Sequence, residues 1–118
     1  MLEGSNDCGE FSRCRPNARL VESMVASAFA VEPGAIRSCR RGPAPAACAR
    51  QVAIYLAHTR LGLSYTAAGT CFGRDRTTAA HACRTVENRR DDSRIDRIID
   101  LLEKAIDVWS RPMDGVEL

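Results

Sequence analysis

The sequence predicts a small all-α domain, and three observations lead to this fold class. Apolar residues recur at steps of three and four along most of the chain, which is the spacing of amphipathic helices. Glycine and proline fall mostly between these stretches, where they end helices and form turns. With 118 residues and 45% hydrophobic content, the chain can bury one core but hardly two. We therefore expect one compact helical domain over residues 17–110, a flexible N-terminal tail over 1–16 and a C-terminal tail over 111–118.

The first predicted helix begins near Ala18 and stops before Pro33. Upstream of it the chain has few large apolar side chains, which leaves little to offset the entropy cost of ordering. A short helical turn is expected over Gly34–Ser38, and a long helix over Ala46–Leu61 that ends at Gly62. The apolar residues of the first helix keep helical spacing: Leu20, Val21, Met24, Val25, Ala28 and Phe29.

Two further helices are predicted on either side of a short turn. Ser64 suits the N-cap of the first helix, Gly73 supplies a positive φ angle for the turn, and Asp75 suits the N-cap of the second helix. The second helix has an inward stripe of Ala79, Ala82, Cys83 and Val86, and an outward stripe of Arg76, Thr77, Ala80, His81 and Arg84. A short helix joined through a glycine turn to a helix with a polar outer face matches the plan of a helix-turn-helix.

The last predicted helix runs from Ser93 to Trp109. Ser93 and Asp96 have the spacing of a capping box, and a clear apolar stripe follows them. We expect Trp109 to be a core residue or an interface anchor, because a large indole at the end of an apolar stripe is normally buried.

Charge is divided unevenly along the chain. Residues 37–90 carry ten arginines against two acidic residues, a net charge of +8, whereas the remainder carries seven basic and thirteen acidic residues, a net charge of −6. Concentrated positive charge suits a nucleic-acid-binding face, because neutralising phosphates releases counterions. Part of this charge, Arg40 and Arg41, lies in a proline-containing loop. The alternative is a merely solvated, arginine-rich surface.

Several other functional classes are disfavoured. No run of about eighteen apolar residues could span a membrane, and the N-terminus lacks the pattern of a signal peptide, so we expect a cytoplasmic protein with reduced thiols. The six cysteines lack the spacing of a zinc site, and no metal is expected. A nucleophilic pair of Cys83 and His81 is disfavoured because residues two apart on a helix diverge by about 200°. The motif G-x-x-x-x-G-K-[ST] does not occur, and we expect neither a nucleotide cofactor nor enzymatic activity.

Four stretches of the sequence resemble the C-terminal DNA-binding domain (domain IV) of the bacterial chromosomal replication initiator DnaA. They are Arg50-Gln51, Gly62-Leu63-Ser64, the run from Phe72 to Thr78, and His81-Ala82-Cys83-Arg84. The resemblance extends from about Leu20 to Ile106. It implies a Trp-repressor-like helical fold and binding to short double-stranded sites of the DnaA-box type.

The resemblance also implies roles for individual residues. Asp75, Arg76 and Thr77 match family positions that contact base edges in the major groove. The matches to phosphate-contacting positions are Arg50, Gln51, Thr78 and His81. The family inserts a loop arginine into the minor groove, and Arg40 or Arg41 is the nearest residue here, although Gly42 takes the arginine's own position. Read without the resemblance, Arg50 could instead pair with an acidic residue such as Glu87, and His81 could be a surface or half-buried histidine.

Three features depart from the family pattern. Arg76 stands where the family has histidine, the turn Phe72-Gly73-Arg74 is one residue shorter, and the loop from Arg40 to Cys48 is rich in proline and poor in arginine. The base facing Arg76 is therefore expected to differ from the family's, or to be read more strongly. We expect a stand-alone, nucleoid-associated duplex DNA binder that regulates replication initiation or transcription. The alternative is an interaction module that binds the initiator or its regulators through the acidic residues between Asp91 and Asp107.

Overall fold

The computed structural model describes residues 2–38 and 44–110, and side chains within 16–38 and 45–110. In these residues the chain is all-α, as predicted, with six helices and no strand. The helices are α1 Leu2–Phe29, α2 Pro33–Arg37, α3 Ala44–Thr59, α4 Tyr65–Cys71, α5 Arg76–Arg89 and α6 Ser93–Trp109. No helix in this part of the chain has an apolar stretch long enough to cross a membrane.

Helix α3 lies at the centre of the domain. Helices α1, α2, α4 and α5 all pack against it, and every residue from Val52 to Ala57 is buried. Alanines at 49, 53 and 57 present small side chains, which lets neighbouring helices approach closely. The largest fully buried side chains come from α3 itself and from the segments around it: Phe72, Ile36, Ile54, Leu56, Leu63, Ile99 and Ile106.

Helix α1 is longer than the sequence predicts. It begins at Leu2, not near Ala18, and continues through Pro16, so the backbone of most of the expected N-terminal tail is helical. Helical hydrogen bonds join residues close in sequence, so a helix that has nucleated against the core at residues 18–29 can extend toward the N-terminus. The expected C-terminal tail, residues 111–118, lies outside the described residues, and the domain boundary at 17–110 stays a prediction.

The link between α3 and α4 holds the two helices at a defined angle. Gly62 has a φ of 75°, as a helix-ending glycine should. His58 Nδ1 lies 2.8 Å from the carbonyl oxygen of Leu63, and the His58 ring stacks on Tyr65 at 4.1 Å between centroids. These contacts connect the end of α3 to the start of α4.

Helix α6 is capped by Asp92, and the predicted capping box of Ser93 and Asp96 is wrong. The Asp92 carboxylate accepts a hydrogen bond from the Arg94 amide at 2.9 Å, while Asp96 accepts one from Arg90 Nε at 2.6 Å. The guanidinium of Arg90 therefore holds the carboxylate that a capping box would need. At the other end of α6, Trp109 is half-buried and its Nε1 donates to Met24 Sδ at 3.2 Å, consistent with an anchoring role in the core.

Candidate nucleic-acid interface

Helices α4 and α5 form the predicted helix-turn-helix, and local hydrogen bonds define the turn. Ser64 Oγ caps α4 by accepting from the Ala67 amide at 3.1 Å. Helix α4 ends in a Schellman motif, in which the Gly73 amide donates to Thr70 O and the Arg74 amide to Gly69 O, at 3.1 and 2.8 Å. Gly73 has a φ of 71°, as expected.

Gly69 allows the turn to fold tightly back onto α4. A Cβ atom on this residue would lie 2.7 Å from the carbonyl oxygen of Arg74 and 2.9 Å from that of Asp75. The position therefore requires glycine, and it determines how closely the start of α5 approaches α4. Sequence reasoning missed this residue, and the only signal for it was an isolated glycine inside a helical stretch.

Helix α5 separates a buried face from a solvent face, as predicted. Ala79, Ala82, Cys83 and Val86 are buried against the core. The other side exposes Arg76, Thr77, His81 and Arg84, while Ala80 is half-buried. The structure therefore brings the three predicted base-contacting residues together at the exposed start of one helix.

Asp75 has a structural role in addition to any contact with bases. Its Oδ1 accepts a hydrogen bond from the Thr78 amide at 2.8 Å and caps α5. Hydrogen bonds from the backbone and side chain of Thr78 hold the pKa of the Asp75 carboxyl below its usual value of 3.8. The residue therefore presents an ionised, acceptor-only group beside Arg76 and Thr77 at neutral pH.

Arg50 is the predicted phosphate contact whose environment differs most from expectation. Its side chain is buried, with the residue 8% exposed, and its guanidinium donates to carbonyls near the end of α2. Nε bonds to Ile36 O at 2.8 Å, and Nη2 bonds to Ala35 O at 3.1 Å. Burial, and secondarily the cation of Arg74, lower the pKa of Arg50. Arg50 thus ties α3 to α2.

The other predicted phosphate contacts lie in two places. Thr78 and His81 are exposed on α5, and His81 Nε2 lies 3.5 Å from Thr85 Oγ1. Gln51, on α3, is half-buried, and its Oε1 is a buried atom with no hydrogen-bond partner among the described residues. This carbonyl oxygen is a polar atom that the fold itself does not satisfy.

Arg40 and Arg41, predicted to enter the minor groove, lie outside the described residues. The backbone carbonyl oxygen of Ser38, just before that segment, accepts a hydrogen bond from Arg74 Nη2 at 2.9 Å. Arg74 belongs to the turn before α5, so the end of the α2 segment is connected to the start of the exposed helix.

In the folded structure, acidic residues of α6 neutralise part of the positive charge of residues 37–90. Arg90 pairs with Asp96 and Glu103 at 2.6 and 3.0 Å, and Arg60 pairs with Glu103 and Asp107 at 3.5 and 3.3 Å. Two arginines of the basic segment thus hold α6 in place. The same pairs occupy three carboxylates that the interaction alternative would need.

Two arrangements weighed from the sequence, a metal site and a Cys83–His81 pair, can be compared with the described residues. The described residues contain no group of three His, Cys, Asp or Glu residues that could hold a metal ion. Cys83 is buried and His81 is exposed, so the two side chains lie on different faces of α5. Burial, with a smaller effect from Glu87, raises the pKa of the Cys83 thiol to about 11.

Comparison with known proteins gives two matches. Residues 18–86 match the family model described as "Bacterial dnaA protein helix-turn-helix". The chain is 37% identical over 59 residues, or 49% of its length, to the "Chromosomal replication initiator protein DnaA 2" of Chlamydia pneumoniae. This alignment spans 13% of the relative's length. The family match covers residues 18–29 of α1, helices α2, α3 and α4, and most of α5.

Proposed function

The chain belongs to the bacterial DnaA helix-turn-helix family, and from this premise we propose that it binds double-stranded DNA sequence-specifically through α5. The observation that carries the proposal is the exposed start of α5, where Asp75, Arg76 and Thr77 adjoin one another opposite a buried face. The first residues of a recognition helix are those that reach base edges in the major groove.

Each of these three side chains has chemistry suited to a base edge. The two-pronged guanidinium of Arg76 can donate to both O6 and N7 of guanine, and the methyl group of Thr77 can pack on the thymine methyl. The Asp75 carboxylate can accept from the exocyclic amine of cytosine while it caps the helix. Arg76 favours guanine at its position, where the family resemblance implies histidine.

Phosphate contacts would then orient the helix in the groove. The hydroxyl of Thr78, the imidazole of His81 and the amide group of Gln51 are polar groups of the kind that bind phosphate oxygens. For Arg50 the proposal is a phosphate contact in addition to the bonds by which Nε and Nη2 hold α2. Arg40 and Arg41 are assigned to the minor groove on the family resemblance alone.

We further propose that the protein acts on the chromosome, at sites related to DnaA boxes, as a regulator of replication initiation or of transcription. The name of the Chlamydia relative supports the first role. The initiator itself is a further proposed partner, because proteins that recognise related sites meet on the same DNA. The interaction-only alternative is less favoured, because Asp96, Glu103 and Asp107 already pair with arginines of this chain.

Duplex binding measured against salt concentration tests the proposal. A site selected from a random duplex pool should be bound at about 50 mM salt, with affinity falling as salt rises. Arg76→Ala should weaken the selected site by about 1–3 kcal/mol and relax the base preference at one position. His81→Ala should weaken all duplexes by a common factor, because phosphates carry no sequence information.

The exposed Arg97 of α6 provides a matched control, because Arg97→Ala removes the same charge away from α5. It should leave both affinity and base preference unchanged. Absence of binding to selected and random duplexes at about 50 mM salt would refute the DNA-binding proposal. Equal losses for Arg76→Ala on every sequence would refute the base-reading role. Capture of the initiator by the Arg76→Ala protein would place that interaction on another surface.

A further inference from the structure

The outward face of α5 stays polar well beyond its first turn. With 3.6 residues per turn, Thr77, His81, Arg84 and Asn88 form one row, directly opposite the buried stripe centred on Ala79 and Val86. All four residues of the row are exposed. The row rises by about 16 Å along the helix axis from Thr77 to Asn88, so it is longer than the segment that base reading requires.

Arg84 is the one cation in this row. Arg60 and Arg90 are held by carboxylates of α6, whereas no hydrogen bond or ion pair within the described part of the chain involves the Arg84 guanidinium. Glu87, one turn further along α5, does not pair with it. The Arg84 side chain is therefore exposed and charged, and it serves no visible purpose in the fold.

The position of Arg84 along α5 suits a contact with the DNA backbone. It lies seven residues, or about 10 Å of helix, beyond Thr77. The major groove of B-form DNA is about 12 Å wide and is bordered by phosphates on both sides. When the first turn of α5 meets the base edges, a long side chain 10 Å further along the same face reaches the border of the groove.

We propose that Arg84 is a further DNA-binding residue, which contacts a phosphate at the edge of the major groove. The assignment rests on the proposed function and extends it by one contact that carries affinity without sequence information. A guanidinium suits this role because its fork of N–H donors matches the oxygens of a phosphate.

The test compares Arg84→Gln with Arg97→Gln, which have the same net charge and differ only in the helix they alter. Dissociation constants for a selected and a random duplex are measured over a salt series. Arg84→Gln should reduce the slope of log affinity against log salt by about 1, equally for both duplexes, because one phosphate contact is lost. Arg97→Gln should keep the slope of the unmodified protein, and Arg84→Lys should retain most of it.

Thermal unfolding of each variant, followed by circular dichroism, separates loss of contact from loss of fold. An unchanged salt slope for Arg84→Gln would overturn the assignment. So would an equal change in Arg97→Gln, which would indicate an effect of net charge alone. If the unmodified protein and Arg76→Ala behave as proposed but Arg84→Gln does not, only this inference fails. If the unmodified protein binds no duplex, the proposed function fails, and the assignment fails with it.

Discussion

Replacing Gly69 with alanine should destabilise the domain, although the same change stabilises most helices. In an unhindered helix interior, alanine is favoured over glycine by about 1 kcal/mol. At position 69 the new methyl group would lie 2.7 and 2.9 Å from the carbonyl oxygens of Arg74 and Asp75, and 3.3 Å from Ala79 Cβ. Two of these three contacts are with backbone atoms, which cannot rotate away as the end of a flexible side chain can.

The expected magnitude follows from these two opposing effects. Forced overpacking of this kind costs about 1–3 kcal/mol, and the two backbone contacts place Gly69→Ala near the upper end of that range. After subtracting the gain in helix propensity, we expect the free energy of unfolding to fall by about 2 kcal/mol. For a domain of this size, at about 4 °C per kcal/mol, that corresponds to a decrease in the midpoint of thermal unfolding of roughly 8 °C.

Gly34 provides the control, because it lies in α2 with nothing within 4 Å of the corresponding Cβ position. Gly34→Ala should therefore be neutral or stabilising by up to about 1 kcal/mol. Urea and thermal unfolding of both variants, followed by circular dichroism, measure the difference. If Gly69→Ala were as stable as the unmodified protein, the close approach of α4 to the turn would not be the constraint inferred from the structure.

Three other substitutions and one labelling experiment test the remaining structural assignments. Gly73→Ala forces an L side chain to a φ of 71°, so the free energy of unfolding should fall by about 1–2 kcal/mol, and an unchanged urea midpoint would contradict this. Arg50→Ala removes the donors to Ile36 O and Ala35 O and should lower the same free energy by about 1.5–3 kcal/mol; a purely DNA-contacting Arg50 would leave stability intact. The pKa of Asp75 is lowered in the folded protein, so its cap contributes its full stability above pH 3.8, the ordinary pKa of the group. This stability is lost as the pH falls through the lower pKa of the folded state. Asp75→Asn should therefore keep the cap at neutral pH but lose less stability in acid than the unmodified protein does. Identical curves of unfolding free energy against pH for the two proteins would contradict that role. With its pKa raised to about 11, the Cys83 thiol should alkylate more slowly than the half-buried Cys48 at about pH 8 in a mass-spectrometric time course, and equal rates would refute the effect of burial.

Features that depend on neighbours in sequence were predictable. The caps at Ser64 and Asp75 each use an amide three residues away, and the positive φ of Gly73 is a property of the turn itself. The inward and outward faces of α5 follow from helical periodicity alone. For these reasons the helix-turn-helix and the group of residues at the start of α5 were visible in the sequence.

Features that depend on distant partners were not predictable. The partners of Arg50 lie 14 and 15 residues away on α2, and the Arg90 contacts with Glu103 and Tyr55 span 13 and 35 residues. Arg90 also affects the cap of α6, since it binds Asp96 and leaves Asp92 to cap the helix. Only the assembled fold reveals which charges neutralise one another.

The division of α5 into two faces has a consequence for how such proteins diverge. Arg76 and Thr77 are exposed on this helix, so exchanging them should leave the scaffold intact while altering the bases that it recognises. Asp75 is the exception, because a replacement there must also cap the first turn of α5. A library randomised at these two positions would explore new target sequences on one unchanged framework.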